Sequence, residues 1–285
     1  MQIVTDSGMD LAPEQLKDLD IHVAPLMLYL DGNSYYCGVD IDADEFYRLL
    51  EASGNFPSTS QPSAGDFKRI YQNLAKTDPE ILSIHISSGL SGTLAAARAG
   101  AEMVPEAHVT FVDSKSLSVP FGWQVEAAAK AIKAGWSIDQ IIALLEKIRA
   151  NSEGMFTLPT LKYLIHGGRI SHLTGLVASL LSIKPVIGVD RVTGKYVNWG
   201  QEVTIKRALR KMVDNIEGWY GAGTELRAQP IHANNLAMVA VIKEMVDERF
   251  PVRWDPPATI APSLGAHTGS GLVGICAGPA EIFPF

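Results

Sequence analysis

Residues 81–93 read Ile-Leu-Ser-Ile-His-Ile-Ser-Ser-Gly-Leu-Ser-Gly-Thr. The apolar bias from Ile81 to Ile86 predicts a short buried strand. Ser87-Ser-Gly-Leu-Ser-Gly92 is a polar, glycine-rich turn, and the alanine-rich run from Thr93 to Met103 predicts a helix. Strand, tight turn and helix in that order form the repeating unit of a parallel α/β sheet.

The unit recurs on both sides. Gln2-Ile-Val4 is an apolar strand that ends in Thr5-Asp6-Ser7. Pro13 to Leu19 predicts a helical turn, and Ile21 to Tyr29 predicts a second strand. Asp42-Ala-Asp-Glu45 puts acids at the start of a helix that runs to Ala52, and Ser63 is placed to cap a helix over Gly65–Ala75. Val109 to Val112 is a further strand and ends in Asp113-Ser114. Gly122–Ala134 and Ser137–Asn151 read as helices. Three strand ends therefore carry hydroxyl-rich turns, where parallel sheets bind ligands.

The pattern changes after Ser152-Glu-Gly154, which predicts two lobes, 1–153 and 154–285. The expected fold is a Rossmann-like, parallel-sheet α/β lobe followed by a second α/β lobe. In the second, Pro159–Ile165 reads as helix, broken by His166-Gly-Gly-Arg-Ile-Ser171. Leu173–Leu181 predicts an apolar helix and Lys184–Val189 a strand, turned at Thr193-Gly194 into Tyr196–Asn198. Helices are expected over Thr204–Trp219 and Asn234–Arg249, with strands over Arg227–His232, near Thr259 and over Leu272–Cys276.

Composition narrows the function. Among 285 residues, 47% are hydrophobic and 19% charged, enough for a core and against a disordered chain. The net charge of −7 argues against a surface built to neutralise nucleic-acid phosphates. Two distant cysteines, Cys37 and Cys276, give neither zinc spacing nor a disulfide framework. The N-terminus turns polar within four residues, unlike a signal peptide. The longest apolar stretch, Leu173 to Val189, is interrupted by Lys184 and Pro185. A cytoplasmic protein without membrane insertion is expected.

Several motifs could carry chemistry. The Ser87–Thr93 turn offers hydroxyls and helix-terminal amides to an anion; as plain structure it is a turn capped by Ser91 or Thr93. A hydrolase nucleophile elbow needs G-x-S-x-G, and Gly89-Leu-Ser91-Gly92-Thr93 misses it by one residue. Ser91 with His267 remains the alternative reading, a serine hydrolase or acyltransferase. Gly269 to Gly274 matches G-x-G-x-x-G, but too few residues follow for a dinucleotide fold. Asp40-Ile-Asp-Ala-Asp-Glu45 lacks the glycine and closing glutamate of a calcium loop. His85, in mid-strand, reads as core. His267, between Gly265 and Gly269, reads as flexible backbone with room for a ligand. Thr59-Ser-Gln-Pro-Ser63 reads as a loop whose hydroxyls can orient a carboxylate or phosphate.

Seven segments, Val4–Ser7, Thr59–Ser63, Ser87–Thr93, Asp113-Ser114, Gly167–Ser171, Lys184-Pro185 and Gly265–His267, occur in the order and spacing of the DegV family. The chain resembles these bacterial fatty-acid-binding proteins, which include the carrier subunit of fatty acid kinase, over essentially its whole length. The resemblance implies a long-chain fatty acid bound non-covalently between two α/β lobes. The implied ligand-binding residues are Thr59, Ser60, Ser91, Gly92, His267 and Arg169. It implies no catalytic residue, no metal and no cofactor beyond the lipid, and Leu173–Leu181 is the candidate wall of the acyl tunnel. It also implies presentation of the ligand to a separate ATP-dependent kinase subunit, and a monomer is expected. The chain departs from the family at Val203, where an arginine that helps dock the kinase is expected, with Lys206, Arg207 and Arg210 nearby. It departs again in Thr268-Gly-Ser-Gly271, which lacks a proline.

Overall fold

The structure is a computed structural model that describes residues 1–173 and 183–285. Four parallel strands, β1 (Gln2–Asp6), β2 (Ile21–Ala24), β6 (Glu80–His85) and β7 (His108–Asp113), form the first sheet in the order β2-β1-β6-β7. Helices α1 (Pro13–Leu16), α3 (Ala64–Leu74), α4 (Thr93–Ala101), α5 (Ser118–Lys133) and α6 (Ile138–Asn151) connect or cover it. Because β1, β6 and β7 are adjacent and parallel, the Thr5–Ser7, Ser87–Gly92 and Asp113-Ser114 segments gather at one sheet edge. Ser63 caps α3 reciprocally with Asp66, as its spacing predicts.

The expected strand over Ile21–Tyr29 is two strands in two sheets. Pro25 has no N–H to continue the ladder, and the Ser7 hydroxyl accepts from Leu26 N at 2.9 Å. The chain then enters a three-stranded antiparallel sheet of β3 (Met27–Leu30), β4 (Asn33–Tyr36) and β5 (Ser58–Ser60), with β3 central. The β3–β4 turn is Asp31-Gly32, both at positive φ (51° and 79°), the hairpin geometry that Asp-Gly favours. The helix α2 (Ala43–Ala52) lies between β4 and β5, capped by Asp42.

The second lobe is a mixed sheet ordered β10-β9-β8-β14-β11-β12, with β13 also paired to β11. Its strands are β8 (Glu153–Thr157), β9 (Lys184–Val189), β10 (Tyr196–Glu202), β11 (Leu226–His232), β12 (Val252–Trp254), β13 (Ala258–Thr259) and β14 (Val273–Pro279). Helices α8 (Ile205–Tyr220) and α9 (Leu236–Asp247) cover one face, burying Leu209, Met212 and Ile242 against Val186 and Ile275. The short α10 (Pro262–Thr268) packs against β3 and β5 of the three-stranded sheet, and the short α7 (Lys162–His166) packs against α10. The predicted Leu173–Leu181 helix lies, beyond its first residue, outside the described residues.

The largest apolar cluster does not respect the division into sheets. It joins Ile3, Leu82 and Trp123 to Phe156, Ile231 and Cys276. No helix among the described residues is long and apolar enough to cross a membrane.

Candidate functional site

Thr59 belongs to β5, not to a loop, and pairs with Leu28 of β3. Strand alternation sends neighbouring side chains to opposite faces. Thr59 Oγ1 meets His267 Nε2 at 2.8 Å, whereas the Ser60 hydroxyl turns toward Tyr29 Oη at 3.3 Å. Of the two candidate hydroxyls on this strand, only Thr59 joins the histidine.

His267 is not on flexible backbone. It is buried on α10, and the glycines around it admit protein, not ligand. A methyl on Gly265 would fall 2.6 Å from both Phe46 Cε1 and Tyr47 Oη of α2, and one on Gly269 (φ 75°) 2.2 Å from Tyr163 of α7. Close backbone approach, which only glycine allows here, wedges α10 between α2 and α7.

The electrostatics of His267 follow from this burial. Desolvation first, then the charge of Arg169 and that of His166, push its pKa down to about 4, so the imidazole is neutral at pH 7. Its Nδ1 is buried without a hydrogen-bond partner and faces Gly167, where an added methyl would lie 2.2 Å away. A buried orphan N–H costs more than an orphan lone pair. The proton therefore resides on Nε2 and is donated to Thr59 Oγ1. That leaves the Thr59 O–H free to donate to a third group.

Arg169 opens a 3-10 turn after Gly168 (φ 74°), and its Nη1 donates to Gly167 O at 2.6 Å. Its charge acts on His267 and on buried Tyr196 of β10, whose hydroxyl is pushed well up by burial. The Arg169 charge thus reaches the imidazole of the Thr59–His267 pair.

At the other turn, Ser91 N and Leu90 N donate to Ser87 O, rounding the chain into α4. Gly92 is the N-cap, and α4 has no side-chain cap from it. Ser91 Oγ instead accepts from Thr93 N at 3.3 Å and lies 2.8 Å from Thr93 Oγ1. The first amides of α4 and its dipole face the turn. A methyl on Gly92 would come within 3.1 Å of the Gln61 amide, two residues past Thr59. Gln61, a member of the Thr59–Ser63 motif, therefore links the β5 segment to the Ser91 turn.

The second lobe closes on the same turn. Ser87 Oγ donates to Gly194 O at the β9–β10 hairpin tip, 2.7 Å. A methyl on Gly89 would fall 2.6 Å from that oxygen. Ser88 also bonds Asp113, which pairs with Lys115 at 2.9 Å.

His85, read as core, is fully buried: Nδ1 lies 3.0 Å from Asp6 and Nε2 2.8 Å from Ser83 Oγ, which in turn meets Tyr71. Among the described residues no cluster of three or more His, Cys, Asp or Glu is placed to hold a metal.

The chain is thus a two-lobed α/β protein whose candidate site pairs the Thr59 hydroxyl with a neutral, buried histidine, with a hydroxyl-lined helix start at the Ser91 turn. The model of the DegV family, described as "Uncharacterised protein, DegV family", matches residues 1–280, and the chain belongs to that family. A DegV domain-containing protein of Staphylococcus aureus (strain N315) is 36% identical over 273 residues, 96% of each chain. Two solved structures are also similar. One is a DegV family protein from Thermus thermophilus described by its fatty acid binding, 30% identical, with a TM-score of 0.89 over 98% of this chain and 99% of that one. The other is DegV, a fatty acid binding protein from Bacillus subtilis, 30% identical, with a TM-score of 0.87 over 97% and 98%.

Proposed function

We propose that this chain binds a long-chain fatty acid non-covalently between its lobes, 1–153 and 154–285, and carries it without making or breaking a bond. The observation that supports this most is the Thr59–His267 pair. A neutral Nε2–H donating to Thr59 turns the threonine hydroxyl outward as a donor, which suits a carboxylate. Desolvating a carboxylate is costly unless several donors converge on it. Thr59, Ser91, the first amides of α4 from Gly92 onward and the charge of Arg169 supply them; Ser60, bonded to Tyr29, does not. The acyl chain brings the larger favourable term: about fourteen methylenes at about 0.8 kcal/mol each gross about 11 kcal/mol before entropy costs.

The hydrolase alternative requires Ser91 to hydrogen-bond its base. His267 Nε2 is engaged by Thr59, and Ser91 by Thr93. These bonds favour the carrier.

Presentation to a partner kinase subunit is part of the proposal. Val203 is exposed just before α8, where Lys206, Arg207 and Arg210 are also exposed and offer charge that the missing arginine does not. Native mass spectrometry of the monomer tests the reading. An adduct of fatty-acid mass, released intact by organic solvent, is the expected result. A covalent adduct on Ser91, or a polar ligand without an acyl chain, would overturn it.

A further inference from the structure

Asp10 lies in the loop after β1, beyond the Val4–Ser7 motif, and is buried with 4% of its surface exposed. Its Oδ1 accepts from Ala261 N at 2.9 Å, and its Oδ2 accepts from Ser118 Oγ at 2.6 Å. Ala261 is the N-cap residue of α10, and as an alanine it has no side chain to anchor the helix start. Ser118 opens α5 with φ at 56°, a left-handed conformation that a non-glycine residue holds only when its surroundings enforce it. The same loop makes two further ties: Ser118 N donates to Gly8 O at 2.9 Å, and Ser263 Oγ to Ser7 O at 3.3 Å. One carboxyl therefore joins the first parallel strand's loop, the start of α5 and the start of the helix that carries His267.

We infer that Asp10 is a positioning residue for the ligand site, setting the seat of α10 and hence the contact between His267 and Thr59. The chain of cause is short. His267 lies six positions after the N-cap Ala261, on a helix of under two turns. Gly265, on the same helix, has no slack against Phe46 and Tyr47. Losing the bond to Ala261 N frees the helix start, and the imidazole at the other end swings from its seat against Gly167. Burial drives the Asp10 carboxyl up to about 7, offset by the Ser118 and Ala261 bonds, so its protonation changes in the neutral range. The groups that its charge reaches are the Tyr47 hydroxyl of α2 and the Cys276 thiol of β14. Burial holds both well above their usual values, and both are uncharged over this range.

The inference rests on the fatty-acid reading for its meaning, but its test does not. The imidazole resonances of His267 are followed by NMR against pH in the ligand-free full chain. In Asp10→Ala the titration of His267 is expected to move up from about 4 toward the ordinary 6.5, because a displaced ring is rehydrated. Asp10→Asn keeps an acceptor for Ala261 N and a donor for Ser118, and is expected to restore the low value. An unmoved His267 in a folded Asp10→Ala overturns the inference.

If Asp10→Ala does not fold, the wild type and Asp10→Asn decide. The wild-type His267 resonance is expected to show a second inflection near pH 7 that Asp10→Asn lacks. Its presence in both, or in neither, overturns the inference. His166, whose charge also reaches His267, is common to both proteins, so the difference isolates Asp10. In parallel, cis-parinarate affinity is expected to fall about tenfold in Asp10→Ala and to recover in Asp10→Asn. Should cis-parinarate bind neither wild type nor variants, the fatty-acid reading fails while the NMR result still judges Asp10.

Discussion

Replacing Thr59 by valine removes one oxygen and keeps the shape of the side chain, so it isolates the hydroxyl. Two effects follow. Without Thr59 Oγ1, the Nε2–H of His267 loses the acceptor it has at 2.8 Å and becomes a buried orphan. That costs about 1–3 kcal/mol of stability, whatever the ligand. The bound carboxylate also loses the O–H donor. A hydrogen bond to a charged group is worth about 1.5–3 kcal/mol, which predicts an affinity loss of about ten- to a hundredfold. The two can be separated: thermal unfolding of the delipidated protein reads the first, and displacement of bound cis-parinarate by palmitate reads the second. The expected result is a lower midpoint together with a Kd at least tenfold weaker. A lower midpoint with palmitate affinity within twofold of wild type would refute the role of Thr59 in holding the carboxylate. An unchanged midpoint would refute the proton placement on Nε2.

Three further outcomes are expected. Gly167→Ala puts a methyl 2.2 Å from His267 Nδ1, so it should displace the ring and abolish cis-parinarate binding while the far-UV circular dichroism stays native. Gly89→Ala drives a methyl to 2.6 Å from Gly194 O, prying the hairpin tip from the Ser87 turn; stopped-flow release of cis-parinarate should become faster than in wild type. Asp10 makes stability depend on pH. The folded protein keeps this proton up to about 7, whereas the unfolded chain releases it near 3.8. The contribution is therefore fully present below pH 3.8 and is lost as pH rises through 7, a span worth about 4 kcal/mol. Urea midpoints measured from pH 4 to 8 should show a component falling with pH that disappears in Asp10→Asn.

The parallel sheet was legible because its signals are local. Ile81–Ile86, its serine-glycine turn and the alanine-rich helix carry strand, turn and helix within a few residues of each other. Elements set by distant contacts were not. Pro262-Ser-Leu-Gly-Ala-His-Thr268 has weak helix propensity with a glycine inside, and it is helical because Asp10 anchors its start and α2 receives Gly265. The strand β8 follows α6 after a single residue and begins Glu153-Gly154, which offers no apolar alternation at its start. Ser58–Ser60 reads as a loop by composition and becomes a strand only by pairing with β3. At the site, Thr59 and His267 were legible as residues through the family motifs. Their contact was not, since they lie 208 positions apart in the chain.

The position of β14 in the sheet has a consequence for how the chain is made. It is the last strand in sequence, yet it lies between β8 and β11 in the interior of the second sheet. A ribosome synthesising this protein from the N-terminus releases β8, β9, β10 and β11 before the strand that joins them exists. Until Val273–Pro279 emerges, β8 and β11 each expose an unpaired edge, and the apolar cluster that contains Ile3 lacks Cys276. Emergence of Val273–Pro279 thus closes the interior of that sheet and adds Cys276 to the cluster that contains Ile3, and deleting this strand would leave a sticky intermediate, not a smaller folded protein.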